Sequence, residues 1–236
     1  MSDIATIMWK EWKDALFQSG WRSWARPALL IGILGVVEPL IGKRAWMSLS
    51  PIEMIVFLWF AFFIIISVVA DAFAGERERH TLETLLASRM PDSAILLGKV
   101  VTVVLYGWGV MVVGLFLGAG VYNVAHSEGP FTFYPIDMVL FTLVLGLLVG
   151  ILGAGAGVLL SLRISTVRQA QQTLSIGTLV LGGAVVALLQ LLPKDFFVNF
   201  TLDQILLMAA GVVVVLDIAL LAYSIARFQR AKLILS

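Results

Sequence analysis

The chain contains no cysteine, which removes disulfides, thiol nucleophiles and thiolate metal sites together. Histidine is almost as scarce: His80 and His126 are the only two. They fall on connections expected at opposite faces of a membrane, so they cannot share a metal. Neither HExxH nor Gly-x-Ser-x-Gly occurs, and an intramembrane metalloprotease needs several His and Glu side chains converging at one depth. A phosphate-binding loop is missing too. Its signature is Gly, four residues, then Gly-Lys-Ser/Thr, whereas Gly42-Lys43 and Gly98-Lys99 run on into Arg44 and Val100 without the upstream glycine. Charge is thin, with 13% charged residues and a net charge of +1. Soluble proteins carry about 25%, and so small a net charge suggests no nucleic acid partner. No catalytic residues, resident metal or cofactor are expected on this chain.

What is plentiful is apolar: 60% of the 236 residues are hydrophobic, and the mean hydropathy is +1.00. Six runs, roughly 27–42, 52–74, 93–121, 136–161, 173–192 and 204–226, approach or exceed the roughly 20 residues needed to span a bilayer. None shows the two-residue alternation of a β-barrel strand. The expected fold is an all-α integral membrane protein, one transmembrane domain over 1–236 with six spans, in contact with membrane lipid. The first run is short, and it counts as a span because its neighbours require the crossing. Lys99, near the start of the third, is expected to snorkel to the interface. With both termini on the cytoplasmic side, inner segments hold Lys10, Lys13, Arg22, Arg26, Arg77, Arg79, Arg89, Lys99, Arg163, Arg168, Arg227, Arg230 and Lys232. Outer segments hold only Lys43, Arg44 and Lys194. That asymmetry is a strong positive-inside signal.

Before the first span, residues 1–24 read as an amphipathic helix lying on the inner leaflet. Ile4, Ile7, Met8, Trp12, Ala15 and Leu16 share one face, with Asp3, Lys10, Lys13 and Asp14 mostly on the other. Trp9, Trp12, Trp21 and Trp24 suit the headgroup layer. The charges here interrupt any apolar core, so no cleavable signal peptide is expected. The small-xxx-small pairs Gly114/Gly118, Gly146/Gly150 and Gly153/Gly157 permit close helix approach, within the subunit or between subunits.

Acids in or near the membrane are Glu38, Glu53, Asp71, Asp137 and Asp217. Glu53, Asp71 and Asp137 read as helix ends at the interface. Glu38, before Pro39 in the first span, and Asp217, past the middle of the last, are candidates for a substrate path. An acid inside the bilayer is costly unless it is paired or faces water. A structural role, as an interhelical hydrogen bond or as a protonated carboxyl that holds the bundle together, stands equally open for Asp217.

The charged exception is "GERERHTLETLLASRMPDSAILLGK", Gly75 to Lys99. Thr81 is a suitable N-cap, Glu83 lies in the first turn, and Leu82, Leu85 and Leu86 form an apolar stripe. Pro91 stops the segment, and Asp92 or Ser93 can cap the next span. A short helix over roughly 81–89 follows. A plain connection does not need an apolar triplet, so the stripe reads as a docking surface.

This stretch resembles the hallmark segment of permease subunits of type-2 ABC exporters, whose usual pattern is Glu-x-Glu-x-Gly-Thr-Leu-Glu-x-Leu-Leu, then Pro, then Gly-Lys. Glu76, Glu78, Thr81, Leu82, Glu83, Leu85, Leu86, Pro91, Gly98 and Lys99 match it, with His80 in place of the glycine. The opening "MWKEWKDAL" and the tail "RFQRAKLIL" are similar to the family's ends as well. The resemblance implies a permease in a bacterial or archaeal cytoplasmic membrane, paired with a second permease copy or paralogue. It also implies separate ATPase subunits that bind the ATP and Mg, docked on a coupling segment over 76–91. By this resemblance, the ATPase-coupling residues are Glu76, Glu78, Arg79, Thr81, Leu82, Glu83, Leu85 and Leu86. An ion-coupled secondary transporter using Asp217 and Glu38, or an intramembrane enzyme, are the competing readings.

Overall fold

A computed structural model describes residues 3–17, 22–78, 90–126, 130–161, 164, 166–191 and 201–227. Among them the fold is helical, with no strand. Helix α1 spans Asp3–Phe17, within the interfacial helix expected over 1–24, of which residues 1, 2 and 18–21 lie outside the described residues. A second helix, α2 (Arg22–Gly32), passes through a π-helical turn, Ile33–Val37, into α3 (Glu38–Met47). Pro39 supplies the physical cause. It has no N–H, and in a regular α-helix its ring would press on the carbonyl four residues back, at Gly35. Widening the turn relieves that crowding and lets the Glu38 N–H donate to the Ile33 carbonyl.

Four helices among the described residues are long and apolar enough to cross a membrane: Pro51–Gly75, Asp92–Ala125, Ile136–Ser161 and Leu202–Arg227. The apolar stretch Pro27–Gly42 is a shorter one, and it coincides with the first expected run. The Pro51–Gly75 segment consists of α4 (Pro51–Ala70) and a second π-helical turn, Asp71–Gly75, which leads into a single turn, α5 (Glu76–Glu78). Helices α6 (Asp92–Ala125), α7 (Ile136–Ser161), α8 (Val167–Leu191) and α9 (Leu202–Arg227) complete the bundle.

Capping explains where two of these helices begin. At α9, Thr201 and Gln204 form a reciprocal box: the Thr201 N–H donates to Gln204 Oε1 at 3.0 Å, and the Gln204 N–H to Thr201 Oγ1 at 3.4 Å. At α8, Thr166 Oγ1 accepts from the Gln169 N–H at 3.4 Å, so the helix starts ahead of the apolar run expected from 173. The polar turn containing Gln169, Gln171 and Gln172 is helical although it is not greasy. At α6, Pro91 takes the N-cap position with extended backbone. Asp92 therefore opens the first turn, and the expectation of an Asp92 or Ser93 cap is corrected.

Helices α4, α6 and α7 pack mutually; α1 lies on α6, α8 on α4 and α7, and α9 on α7. The glycine pairs serve this packing inside the subunit. A Cβ on Gly146 would meet Met111, on Gly150 Ile65 and Val104, on Gly153 Phe62, and on Gly157 Val69. Gly114 faces Leu34, and Gly118 faces Tyr134 and Pro39. One apolar core lies where Ile7, Phe73, Leu96 and Val158 meet, and another where Trp46, Phe57, Leu115 and Tyr134 meet.

Candidate functional site

The Gly98-Lys99 pair in the second turn of α6 is the seat of the site. A Cβ on Gly98 would stand 2.7 Å from Ile7 Cγ2 and 3.3 Å from the Ile4 carbonyl oxygen, so α1 lies this close only because residue 98 has no side chain. Glu11, four residues after Ile7, shares its face of α1. It is buried, and its Oε1 receives Lys99 Nζ at 2.8 Å. Glu76 Oε1 receives the same ammonium at 2.9 Å, and the carbonyl of Ala72, in the second π-helical turn, does so at 2.9 Å. Three acceptors match the three protons of a lysine. The Phe73 ring lies 5.5 Å away, a further cation–π contact. Lys99 is 0% exposed. The expected snorkelling is thus corrected: the ammonium turns inward because two carboxylates and a carbonyl replace water there.

Lys10 closes the cluster from outside. Its half-exposed ammonium reaches Glu76 Oε1 at 2.8 Å and Glu11 Oε1 at 3.3 Å. Two lysines and two glutamates balance, the condition under which buried charges persist. Burial pushes the Glu76 carboxyl up, but Lys99 and Lys10 outweigh it and hold the group below its ordinary value of 4.5. For Lys10, burial pulls the ammonium down, and the contacts with Glu76 and Glu11 reverse this to a net rise.

The sign of the pH effect follows. A carboxylate with a depressed folded pKa contributes stability that is present above 4.5 and lost as pH falls through the folded value. Glu76→Gln is therefore expected to lower thermal stability at neutral pH and to flatten its decline in acid. Parallel melting curves for the wild type and the variant from pH 7 to pH 3 check this. An identical acid slope in both would remove Glu76 from the linkage.

Glu78 is used differently. Its Oε2 accepts from the N–H of Val167 at 3.0 Å. Val167 is the first residue of α8, whose N-terminal N–H groups lack intrahelical partners and favour negative charge. At Gly75 a Cβ would stand 2.8 Å from Asp71 Oδ1 but only in ordinary contact, 3.4 Å, with Val167 Cγ2. The two acids of the Glu76-Arg77-Glu78 turn thus hold three elements: Glu76 ties it to α6 and α1, and Glu78 to α8.

Of the other expected site residues, Arg79, Thr81, Leu82, Glu83, Leu85 and Leu86 lie outside the described residues, as does the helix expected over 81–89. The structure does not bring the two path candidates together. Glu38 is half-buried at the start of α3, which packs on α6; Asp217 is buried on α9, which packs on α7. Sequence reasoning missed Glu11 and Lys10. The signal was available: a lysine inside an apolar span needs a counter-charge, and Glu11 interrupts the apolar face of α1.

Residues 48–225 match the family described as "ABC-2 family transporter protein". The chain belongs to that family. It is a multi-pass membrane component, a permease, of an ABC transporter. The matched range contains Glu76, Glu78, Lys99 and Asp217 but begins after α1, so Lys10 and Glu11 lie outside it. A comparison with individually curated proteins found no match.

Proposed function

We propose that this chain is the membrane-spanning permease subunit of an ATP-driven ABC exporter. In this reading it works as a dimer, with itself or a paralogue, and couples to separate ATPase subunits that hold the ATP and Mg. Membership of the ABC-2 family supports the reading. The observation that carries the mechanism is the four-charge cluster on Lys99, because it anchors the beginning of the segment that leads into Thr81–Arg89. A displacement of that segment, produced by nucleotide binding on a docked ATPase, reaches α6 and α1 through Glu76 and α8 through Glu78. Buried ion pairs suit this work, since they are directional and resist sliding in a way that apolar contacts do not.

The reading includes six spans in a bacterial or archaeal cytoplasmic membrane, with both termini and the 76–91 coupling segment on the cytoplasmic side. Two experiments test it. Purification of the chain co-expressed with an ABC ATPase should recover both proteins together, with ATP hydrolysis retained in lipid. Ser88→Cys and Ser127→Cys, introduced singly into the cysteine-free chain, should react with a membrane-impermeant thiol reagent from opposite sides of sealed vesicles. Labelling of both from one side overturns the topology and the coupling role with it.

A further inference from the structure

Asp217 is an ionisable group that the coupling mechanism leaves unused. It is 5% exposed, and neither carboxyl oxygen has a hydrogen-bond partner among the described residues. The group lies on the stripe of α9 that faces α7. Along that stripe Leu206 packs with Leu145, and Leu220 Cβ lies 3.4 Å from where a Cβ on Gly155 would stand. Ser224 Oγ donates to the Gly155 carbonyl at 3.5 Å. No charge on the facing helix can answer the carboxyl: Asp137, the only ionisable residue of α7, is exposed in its first turn. On α9 itself Asp203 opens the first turn, while Tyr223 and Arg227 are exposed near the other end and bond each other at 3.0 Å. Arg227 is ten residues, roughly 15 Å, from Asp217.

A carboxylate without donor or counter-ion in an apolar seam is strongly disfavoured. A metal ion does not remedy this. Hard cations take six or more oxygens, and the seam offers two, plus a Gly155 carbonyl already engaged by Ser224. A proton needs one oxygen. Helix α9 is also the least enclosed of the four long spans, with 11% of its apolar window buried, against 39%, 50% and 44% for the other three. We propose that Asp217 is a proton-binding site inside the membrane domain, protonated while α9 lies on α7 and releasing its proton to water that enters the seam when the two helices part. The O–H bond breaks with its electron pair staying on the carboxylate, so seating of α9 and uptake of one proton are a single equilibrium. The proposal is independent of the ATPase reading, and either can fail without the other.

The test uses the full chain in liposomes of neutral lipid. Gly155→Cys with Leu220→Cys places two Cβ atoms at a separation close to that of a disulfide. Cross-linking is measured from pH 5 to pH 10 with Asp217 intact and, in the same background, with Asp217→Asn, which removes the titration and keeps the shape. The Asn series corrects for the pH dependence of the thiols. The Asp-to-Asn ratio of cross-linked to free chain should be flat at low pH, then fall by up to about tenfold per pH unit. A ratio constant over the whole range overturns the linkage. Infrared spectra in heavy water should show a protonated carboxyl band that Asp217→Asn removes. Spectra without that difference overturn the proton itself. Asp217→Leu, neutral and apolar, provides the same two comparisons where the Asn variant does not fold.

Discussion

Lys99→Met is expected to release α1 from the bundle and to cost about 3–5 kcal/mol, the penalty for removing one partner from a buried ion pair. Methionine matches the length of the lysine stem, so the loss is of charge and not of volume. Glu11 and Glu76 then face each other, each less than 12% exposed at the side chain, with only Lys10 between them. One must take up a proton or swing to water, and α1 cannot keep its place over Gly98 while Glu11 swings. Limited proteolysis should cut within 3–17 in the variant and spare the wild type, and the melting temperature should fall. An unchanged melt together with intact α1 would mean that the cluster holds nothing.

The companion to that experiment separates stability from function. Replacing the whole buried set, Glu11→Met, Glu76→Met and Lys99→Met together, removes the desolvation cost along with the attraction, and such swaps are often neutral or stabilising. Restored stability without restored transport would show that the cluster is kept for transmitting movement. If the triple variant restores both, the charges are one structural solution among several.

The long spans were legible because hydropathy reports a solvent, and four of the six expected runs correspond to helices that meet the length and apolarity needed to cross. Boundaries moved where polar residues continue a helix. The three glutamines before residue 173 are the example, since capping by Thr166 and Glu78, not hydropathy, decides where α8 starts. The site was legible as a list of motif residues but not as an arrangement. Glu76 and Lys99 are adjacent in the motif's logic, yet Glu11 is separated from Lys99 by 88 positions, and no local pattern announces that pairing. The face of α1 was legible, since Ile4, Ile7, Met8 and Trp12 turn inward while Asp3, Lys10 and Lys13 are exposed. Glu11, buried with Ile7, was not, because an ion pair and the notch at Gly98 decide its place.

Leu85→Ser with Leu86→Ser is expected to produce the opposite phenotype to Lys99→Met: a stable permease that no longer holds its ATPase. Both leucines belong to the stripe with Leu82 read from the sequence. A fully buried leucine is worth roughly 1.5–3 kcal/mol before ordering costs, so losing two weakens binding by roughly a hundred- to ten-thousand-fold. The ion cluster lies on the other side of Glu78 and is untouched, so the melting temperature of the chain alone and the burial of α1 should not change. In the proposed coupling segment Glu83→Ala would remove a charge from the rim of the docking surface, and rim charges set orientation more than affinity. That variant should co-purify with the ATPase while ATP hydrolysis loses its link to transport in lipid. Co-purification and hydrolysis at wild-type levels in the double serine variant would reduce the 76–91 segment to a connection, and Glu76 and Glu78 to the clamps that hold it.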